Sequence, residues 1–300
     1  MTAAFGKDTQ VGFIGLGVMG AGMARNLLHK GYSLHVYARR DAAAQPLVQA
    51  GAQRAASPEA VGRACRLVFL CLSDDAAVEQ VLFGEQGLAR GLAKGSVVVD
   101  TSTISATSAR SFAQRLAQGG VAFVDAPISG GQQGAEAGTL AVMVGGAADV
   151  VAACREAMEA FGKTITHVGD VGAGQTVKAC NQVAVAGAML GVADAIALAK
   201  SQGVDPKVMR EVVLGGSGRS FALERHGQRI IDCDFQPGFR ARLMRKDLGI
   251  ALATARSAGA NLQGAELVER LVGELCDSGR AEMDWNMLGL LVQEKGEPKP

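Results

Sequence analysis

The chain has 300 residues, of which 48 % are hydrophobic and 20 % charged, and its 30 basic and 29 acidic side chains leave a net charge of +1. That balance describes a soluble globular protein with room for one large or two moderate domains, and it excludes a nucleic-acid stripe or a polybasic membrane patch. An aromatic share of 4 % argues against base- or sugar-stacking surfaces, and six scattered cysteines with four scattered histidines give neither metal-ligand spacing nor a disulfide framework.

The first ten residues, MTAAFGKDTQ, carry no apolar signal core, so a cytoplasmic location is expected. QVGFIGL then reads as a strand, VMGAGMARNLLHKG as a helix closed by Gly31, and SLHVYA as a second strand. RLVFLCLS, SVVVDTS and VAFVDAP are three further strands, with helical segments at 74–83 and 105–118 between them; TLAVMVGG and KTITHVG are two more. Strands alternating with helices predict a mostly parallel sheet covered on both faces. The strand pattern stops near Gly169, and from Gln175 onward only helical periodicity remains, punctuated at Gly203, Pro206, Gly215–Gly216 and Pro237–Gly238. The expected organisation is an α/β domain over residues 1–171 and an all-helical domain over 172–300, joined by a long helix from about 174 to 202. Between Lys178 and Lys200 that helix carries one formal charge, Asp194. Its apolar character approaches that of a membrane span, but its Ala and Gly content and Asp194 fit a packed interior helix. The tail QEKGEPKP is expected to fray.

The first turn after the first strand, VGFIGLGVMGAG, spaces Gly15, Gly17 and Gly20 as G-x-G-x-x-G, with Leu16, Val18 and Met19 between and beside them. Gly15 permits the tight turn, Gly17 lets backbone approach a pyrophosphate, and Gly20 lets the helix pack close to the sheet, while the helix N-terminus favours the phosphate charge. This context predicts a Rossmann-type dinucleotide-binding domain. At the end of the second strand, where an acidic residue would favour NAD, stand Arg39 and Arg40, whose guanidinium groups suit a 2′-phosphate. NADP is therefore favoured over NAD; in the alternative the arginines are solvated, Asp41 caps the next helix, and NAD stays usable. Ser73 in CLSDD and Ser102 and Thr103 in DTSTIS lie on the same edge as expected cofactor contacts, though each also reads as a helix cap.

DAPISGG ends another strand on that edge, and Ser129 with the Gly130 and Gly131 amides can present donors to a carboxylate. Lys178, near the start of the long helix, can exchange a proton with a substrate oxygen. Burial or a neighbouring positive nicotinamide would bring it below the ~10.4 of free lysine, toward the working pH. In the alternative Lys178 snorkels to solvent, yet a cation opposes the helix dipole at that end. Asn181 and Gln182, three and four residues on, share its face and can hold the substrate or orient the lysine.

FIGLGVMGAGMARNL, DAPISGG, GTLAVMVGG, GAGQTVKACNQ and FQPGFRARLMRKDL occur in an order and spacing that resembles the β-hydroxyacid dehydrogenase family, over roughly residues 10 to 290. The resemblance implies that Lys178 is the general acid/base, that Ser129, Gly130 and Gly131 bind the substrate carboxylate, and that Asn181 assists. It also implies that Lys246, beside Asp247, reaches the cofactor, and that the protein is a homodimer or homotetramer. No metal is implied. The sequence departs from the family at Gly22, where proline is frequent and only the helix start is expected to change, and at DWNML, which introduces Trp285, the sole tryptophan. Trp285 reads either as an unusual wall of the substrate site or as an ordinary interface or core aromatic. The expected activity is hydride transfer between NAD(P) and a small β-hydroxy acid or its semialdehyde. An imine reductase is the rival within the same architecture, and a catalytically silent dinucleotide-binding scaffold is the rival from another class; retention of Lys178 speaks against both.

Overall fold

The computed structural model describes residues 4–296. The chain divides into two compact units, Met1–Lys178 and Ala179–Pro300. The first contains β1 (Gln10–Ile14), α1 (Val18–His29), β2 (Ser33–Tyr37), α2 (Asp41–Gln49), β3 (Gln53–Arg54), α3 (Pro58–Ala64), β4 (Leu67–Leu70), α4 (Asp75–Phe83), β5 (Val97–Asp100) and α5 (Ala106–Ala117). It continues through β6 (Ala122–Asp125), β7 (Ile128–Ser129), α6 (Gly131–Ala137), β8 (Leu140–Gly145), α7 (Ala148–Met158) and β9 (Gly162–Gly169) into the head of α8 (Ala173–Ser201).

Among the described residues, the strands form one sheet in the order β3-β2-β1-β4-β5-β6-β8-β7, with β9 on β8. The pairs from β3 to β6 are parallel. β4 and β5 are buried at every residue, as expected where helices cover both faces. Side-chain alternation splits the core in two: Phe13, Phe69, Val97 and Val99 pack on one face with Phe161. Ile14, Val68, Leu70 and Val98 pack on the other, over Phe112. The strand order reverses at β1, between β2 and β4, which opens a crevice at the carboxyl ends of β1 and β4.

Two short strands were not expected. β3 is an edge pair of residues, and β7 lies inside DAPISGG, antiparallel to β8, which is itself antiparallel to β6. Two residues carry no readable periodicity, so such strands are set by their neighbours.

The second unit contains the remainder of α8, α9 (Pro206–Leu214), a π turn (Leu223–Gly227) running into α10 (Gln228–Ile231), α11 (Ala241–Ser257), α12 (Gln263–Leu275) and α13 (Leu288–Gly296). By length and composition α8 could cross a membrane. Its Ala186, Met189, Val192 and Ile196, spaced three or four apart, instead enter one core with Met244, Leu248, Val268, Val272 and Leu275. The expected fraying does not begin at Gln293: that residue lies in α13, where its amide accepts from Lys200 Nζ (2.6 Å) and donates to the Gly289 carbonyl (2.7 Å). The rest of the tail, 297–300, lies outside the described residues.

Trp285 is a core aromatic, 2 % exposed, with its ring edge-on to His226 at 5.6 Å. The buried His226 Nδ1 has no hydrogen-bond partner among the described residues, and burial pulls the imidazole down to about 4. Asp284 opposes that shift, while Arg229 and Arg225 reinforce it. The unfolded chain takes up a proton below about 6.5 and the folded chain does not until about 4, so stability present above 6.5 is lost as pH falls through this window. The loss should approach ~3 kcal/mol, since each tenfold difference in proton affinity between the folded and unfolded chain is worth about 1.4 kcal/mol. His226→Gln should flatten that acid limb in thermal melts between pH 6.5 and 4. An unchanged limb would assign it to other groups.

Candidate functional site

The glycine loop is shaped by steric necessity. Gly15 has φ 100°, and a Cβ there would lie 2.2 Å from the Cys71 carbonyl oxygen. A Cβ on Gly20 would lie 1.9 Å from the Gly15 oxygen, so α1 sits directly on the turn. Gly17, the N-cap of α1, faces open space. α1 has no side-chain cap and no acidic residue in its first turn, so its leading N–H groups are available to an anion. Leu16 is buried, Met19 half-buried and Val18 exposed. These features fit a dinucleotide pyrophosphate over Gly17.

Arg39 and Arg40 are exposed and neither enters an ion pair among the described residues. Asp41 does not cap α2: it is the first residue of that helix, after the N-cap Arg40, and it is ion-paired with Arg54. Ser73 is exposed and donates its hydroxyl to Asp74 (2.7 Å), and it is Asp74 that caps α4 through the Ala77 N–H (2.8 Å). Ser102 is buried, and its hydroxyl accepts the Leu72 N–H (2.8 Å), tying the loop after β5 to the loop after β4. Thr103 beside it is half-buried.

Ser129 ends β7, and Gly130 (φ 137°) and Gly131 (φ 65°) are exposed at the start of α6. No atom would obstruct a Cβ on Gly131, so glycine is needed there for its backbone angle. α6 is docked on α1. A Cβ on Gly22 would meet the Ala135 backbone at 2.9 Å, and Asn26 Nδ2 donates to the Ala135 carbonyl (2.8 Å) at the far end of α6. Gly22 therefore matters for the contact between helices and not only for the start of α1, a correction to the sequence reading.

Lys178 is 7 % exposed, one turn into α8. Sequence reasoning missed what holds that turn. The N-cap position is Gly172, which has no side chain to cap with. Asp125, at the end of β6, substitutes: its Oδ1 accepts the Gly172 N–H (2.7 Å) and its Oδ2 the Gln175 N–H (2.9 Å). Glycines clear its seat, since a Cβ on Gly145 or Gly174 would approach its carboxylate oxygens to 2.5 or 2.9 Å. The Gln175 side chain then donates to the Ser102 carbonyl (2.8 Å) and accepts the Ile104 N–H (3.1 Å). Asp100 is in register with Asp125 on the adjacent strand. Burial pushes its carboxyl up to about 7; hydrogen bonds from Ser102 work against the shift and nearby Asp125 and Asp75 add to it. Burial also pushes Asp125 up, against the pull of its two backbone N–H bonds and of Arg110.

In the second unit, half-buried Asn181 donates to Gln182 Oε1 (2.9 Å), and Gln182 Nε2 donates to Asp247 Oδ2 (2.6 Å). Lys246 Nζ lies 3.0 Å from Asp247 Oδ1, and Asp247 is only 3 % exposed. The buried carboxylate thus links three residues that the sequence marks separately; its only sequence signal is its place next to Lys246.

Residues 10–169 match the model of the NAD binding domain of 6-phosphogluconate dehydrogenase. Residues 172–291 match that of the NAD-binding domain of NADP-dependent 3-hydroxyisobutyrate dehydrogenase. The chain is 38 % identical to 2-hydroxy-3-oxopropionate reductase of Escherichia coli K12, with 93 % of this chain and 95 % of the relative covered. It is also 38 % identical to the NAD-dependent L-serine dehydrogenase of Pseudomonas aeruginosa, with 93 % and 96 % covered. The crystal structure of a 3-hydroxyisobutyrate dehydrogenase from Salmonella typhimurium superposes with a TM-score of 0.88 at 30 % identity, over 95 % of this chain and 100 % of that one.

Proposed function

The chain belongs to the NAD(P)-dependent β-hydroxyacid dehydrogenase family, and we propose that it interconverts a small β-hydroxy acid and its semialdehyde or keto acid by hydride transfer, with Lys178 as general acid/base. The observation that carries this reading is the placement of a lysine, almost wholly buried, one turn into a helix whose head is locked to the carboxyl end of the sheet. A cation held near a helix N-terminus works against the dipole.

The dinucleotide, when bound, supplies or accepts the hydride. The remaining work falls to this chain. Ser129 and the Gly130 and Gly131 amides bind the substrate carboxylate; both glycines are exposed and have positive φ. Lys178 Nζ delivers a proton to the carbonyl oxygen in reduction and takes one from the hydroxyl in oxidation. Asn181 assists the lysine by fixing geometry, and Gln182 contributes to substrate binding. Gly15, Leu16, Gly17, Val18, Met19 and Gly20 form the pyrophosphate turn, with Ser73, Ser102, Thr103 and Lys246 as further cofactor contacts. We also propose a cytoplasmic homodimer or homotetramer. An exposed row along α8, with Val177, Cys180, Ala184, Gly187, Gly191 and Leu198 and with Asp194 as its one charge, supports self-association, and sedimentation at micromolar concentration tests it.

Two relatives at equal identity bear names with different substrates, so overall similarity does not select one. Initial rates over a panel of two- to four-carbon hydroxy acids and semialdehydes, each with NAD(H) and NADP(H), test the function. Silence across the panel with intact dinucleotide binding would overturn it.

NADP is the proposed cofactor. Asp41, the acidic residue best placed to prefer a free ribose hydroxyl, is engaged by Arg54, while Arg39 and Arg40 remain exposed. Exchanging both arginines for serine should raise the KM for NADP tenfold or more and leave that for NAD within about threefold, because guanidinium–phosphate bonds are charge-assisted and bidentate. An equal change for both cofactors would remove the argument for NADP.

A further inference from the structure

We infer that Asp125 and Gln175 are positioning residues for proton transfer by Lys178, and that they couple its position to the Ser102–Ile104 loop at the end of β5. The inference rests on the reading of Lys178 as acid/base, and all the groups involved lie within the first unit.

Three observations converge. Asp125 spends both carboxylate oxygens on N–H groups at the head of α8, at 2.7 and 2.9 Å, in place of a cap that Gly172 cannot supply. The backbone around it carries glycine at 145, 172 and 174; the space at Gly145 is taken by its carboxylate, and that at Gly174 by the Met143 carbonyl oxygen and by Asp125 itself. A simple N-cap serine would have satisfied the helix with none of these constraints. Next, Gln175 is held at its backbone by Asp125 and at its side-chain amide by the Ser102 carbonyl and the Ile104 N–H, so both ends of the residue are committed in buried space. Lys178 follows three residues on along the same helix, where displacement of the first turn is transmitted directly. Finally, the same loop is bound from below, with the Ser102 N–H donating to Asp100 (2.9 Å) and its hydroxyl accepting from Leu72 (2.8 Å). The first turn of the lysine's helix and a loop expected to touch the cofactor are therefore tied together by hydrogen bonds.

The two N–H bonds are strongest with Asp125 as an anion, which accepts at both oxygens, and they work against the burial that favours its neutral form. The charged groups facing it are Arg110 of α5, which favours the anion, and Asp100 of β5, in register beside it. Asp125→Asn keeps the volume but turns an amide toward one of the two N–H groups. Gln175→Ala leaves both Asp125 bonds in place and cuts only the tie to the loop.

The test compares kcat, KM for each substrate, the pH profile of kcat and the dinucleotide dissociation constant for D125N, Q175A and K178A in the full-length protein. D125N should lower kcat 10- to 100-fold and Q175A about tenfold. Both should shift the limb of the pH profile that K178A abolishes, with dinucleotide affinity within threefold of the parent. If D125N does not fold, Q175A decides alone. Wild-type kcat in the folded variants, or a loss equal at every pH, would overturn the positioning role while leaving the lysine reading intact. Full activity in K178A would instead overturn the acid/base reading on which it rests.

Discussion

Lys178→Ala should lower kcat by about a thousandfold or more, within the 10²–10⁴ range that a positioned general acid/base contributes. That factor corresponds to roughly 4 kcal/mol of transition-state stabilisation. The expectation follows from the site: Lys178 is 7 % exposed, and the glycine loop and the Ser129–Gly131 turn are untouched by the change. Dinucleotide affinity should therefore stay within about threefold, which separates loss of chemistry from loss of binding. Lys178→Arg should also be slow, because guanidinium keeps its proton at any working pH. A K178A enzyme retaining more than a tenth of the parental kcat would place the proton transfer elsewhere.

Gly15→Ala should weaken dinucleotide binding at least tenfold and lower the melting temperature, whereas Gly17→Ala should weaken binding without destabilising the fold. The contrast is geometric. At Gly15 an added Cβ meets two obstacles, a φ of 100° and a backbone carbonyl oxygen at 2.2 Å. Positive φ costs a non-glycine residue about 1–2 kcal/mol, and overpacking against backbone another ~1–3 kcal/mol. The Cys71 oxygen cannot rotate away as a side chain would, so the turn itself must move, and with it the N-terminus of α1. At Gly17 φ is −75° and nothing lies within 4 Å, so the methyl group enters open space, where we propose that the pyrophosphate lies. Direct titration with NADPH and thermal melts of both variants give the comparison. Equal melting temperatures for both variants would show that the loop tolerates the Gly15 side chain, contrary to the steric account.

Much of the architecture was legible because it is written locally. Strand β4 is apolar at all four residues, and α5 carries its apolar positions on one face. The G-x-G-x-x-G turn, the lysine with Asn181 and Gln182 behind it, and the change from alternating strands to helices near residue 170 all lie within windows of ten or twenty residues. Spacing in such windows translates directly into faces and turns. Trp285 was ambiguous for the complementary reason: a single aromatic has no period, and its packing against His226 joins two segments far apart along the chain.

The amino-acid sequence by itself determined that this is a dinucleotide-binding α/β domain followed by helices, with a lysine at the head of the long one. Tertiary structure alone decided where the polar groups along that helix find their partners. Asp125 reaches Gly172 across 47 positions, Gln175 reaches Ser102 across 73, and Gln182 reaches Asp247 across 65. It also decided that Gly22 admits α6 and that Gly145 and Gly174 make room for a carboxylate. Backbone periodicity is set by neighbours along the chain and can be read from them. A buried polar group must find its partner wherever the fold places one, because leaving it unpaired costs more than any local preference can recover.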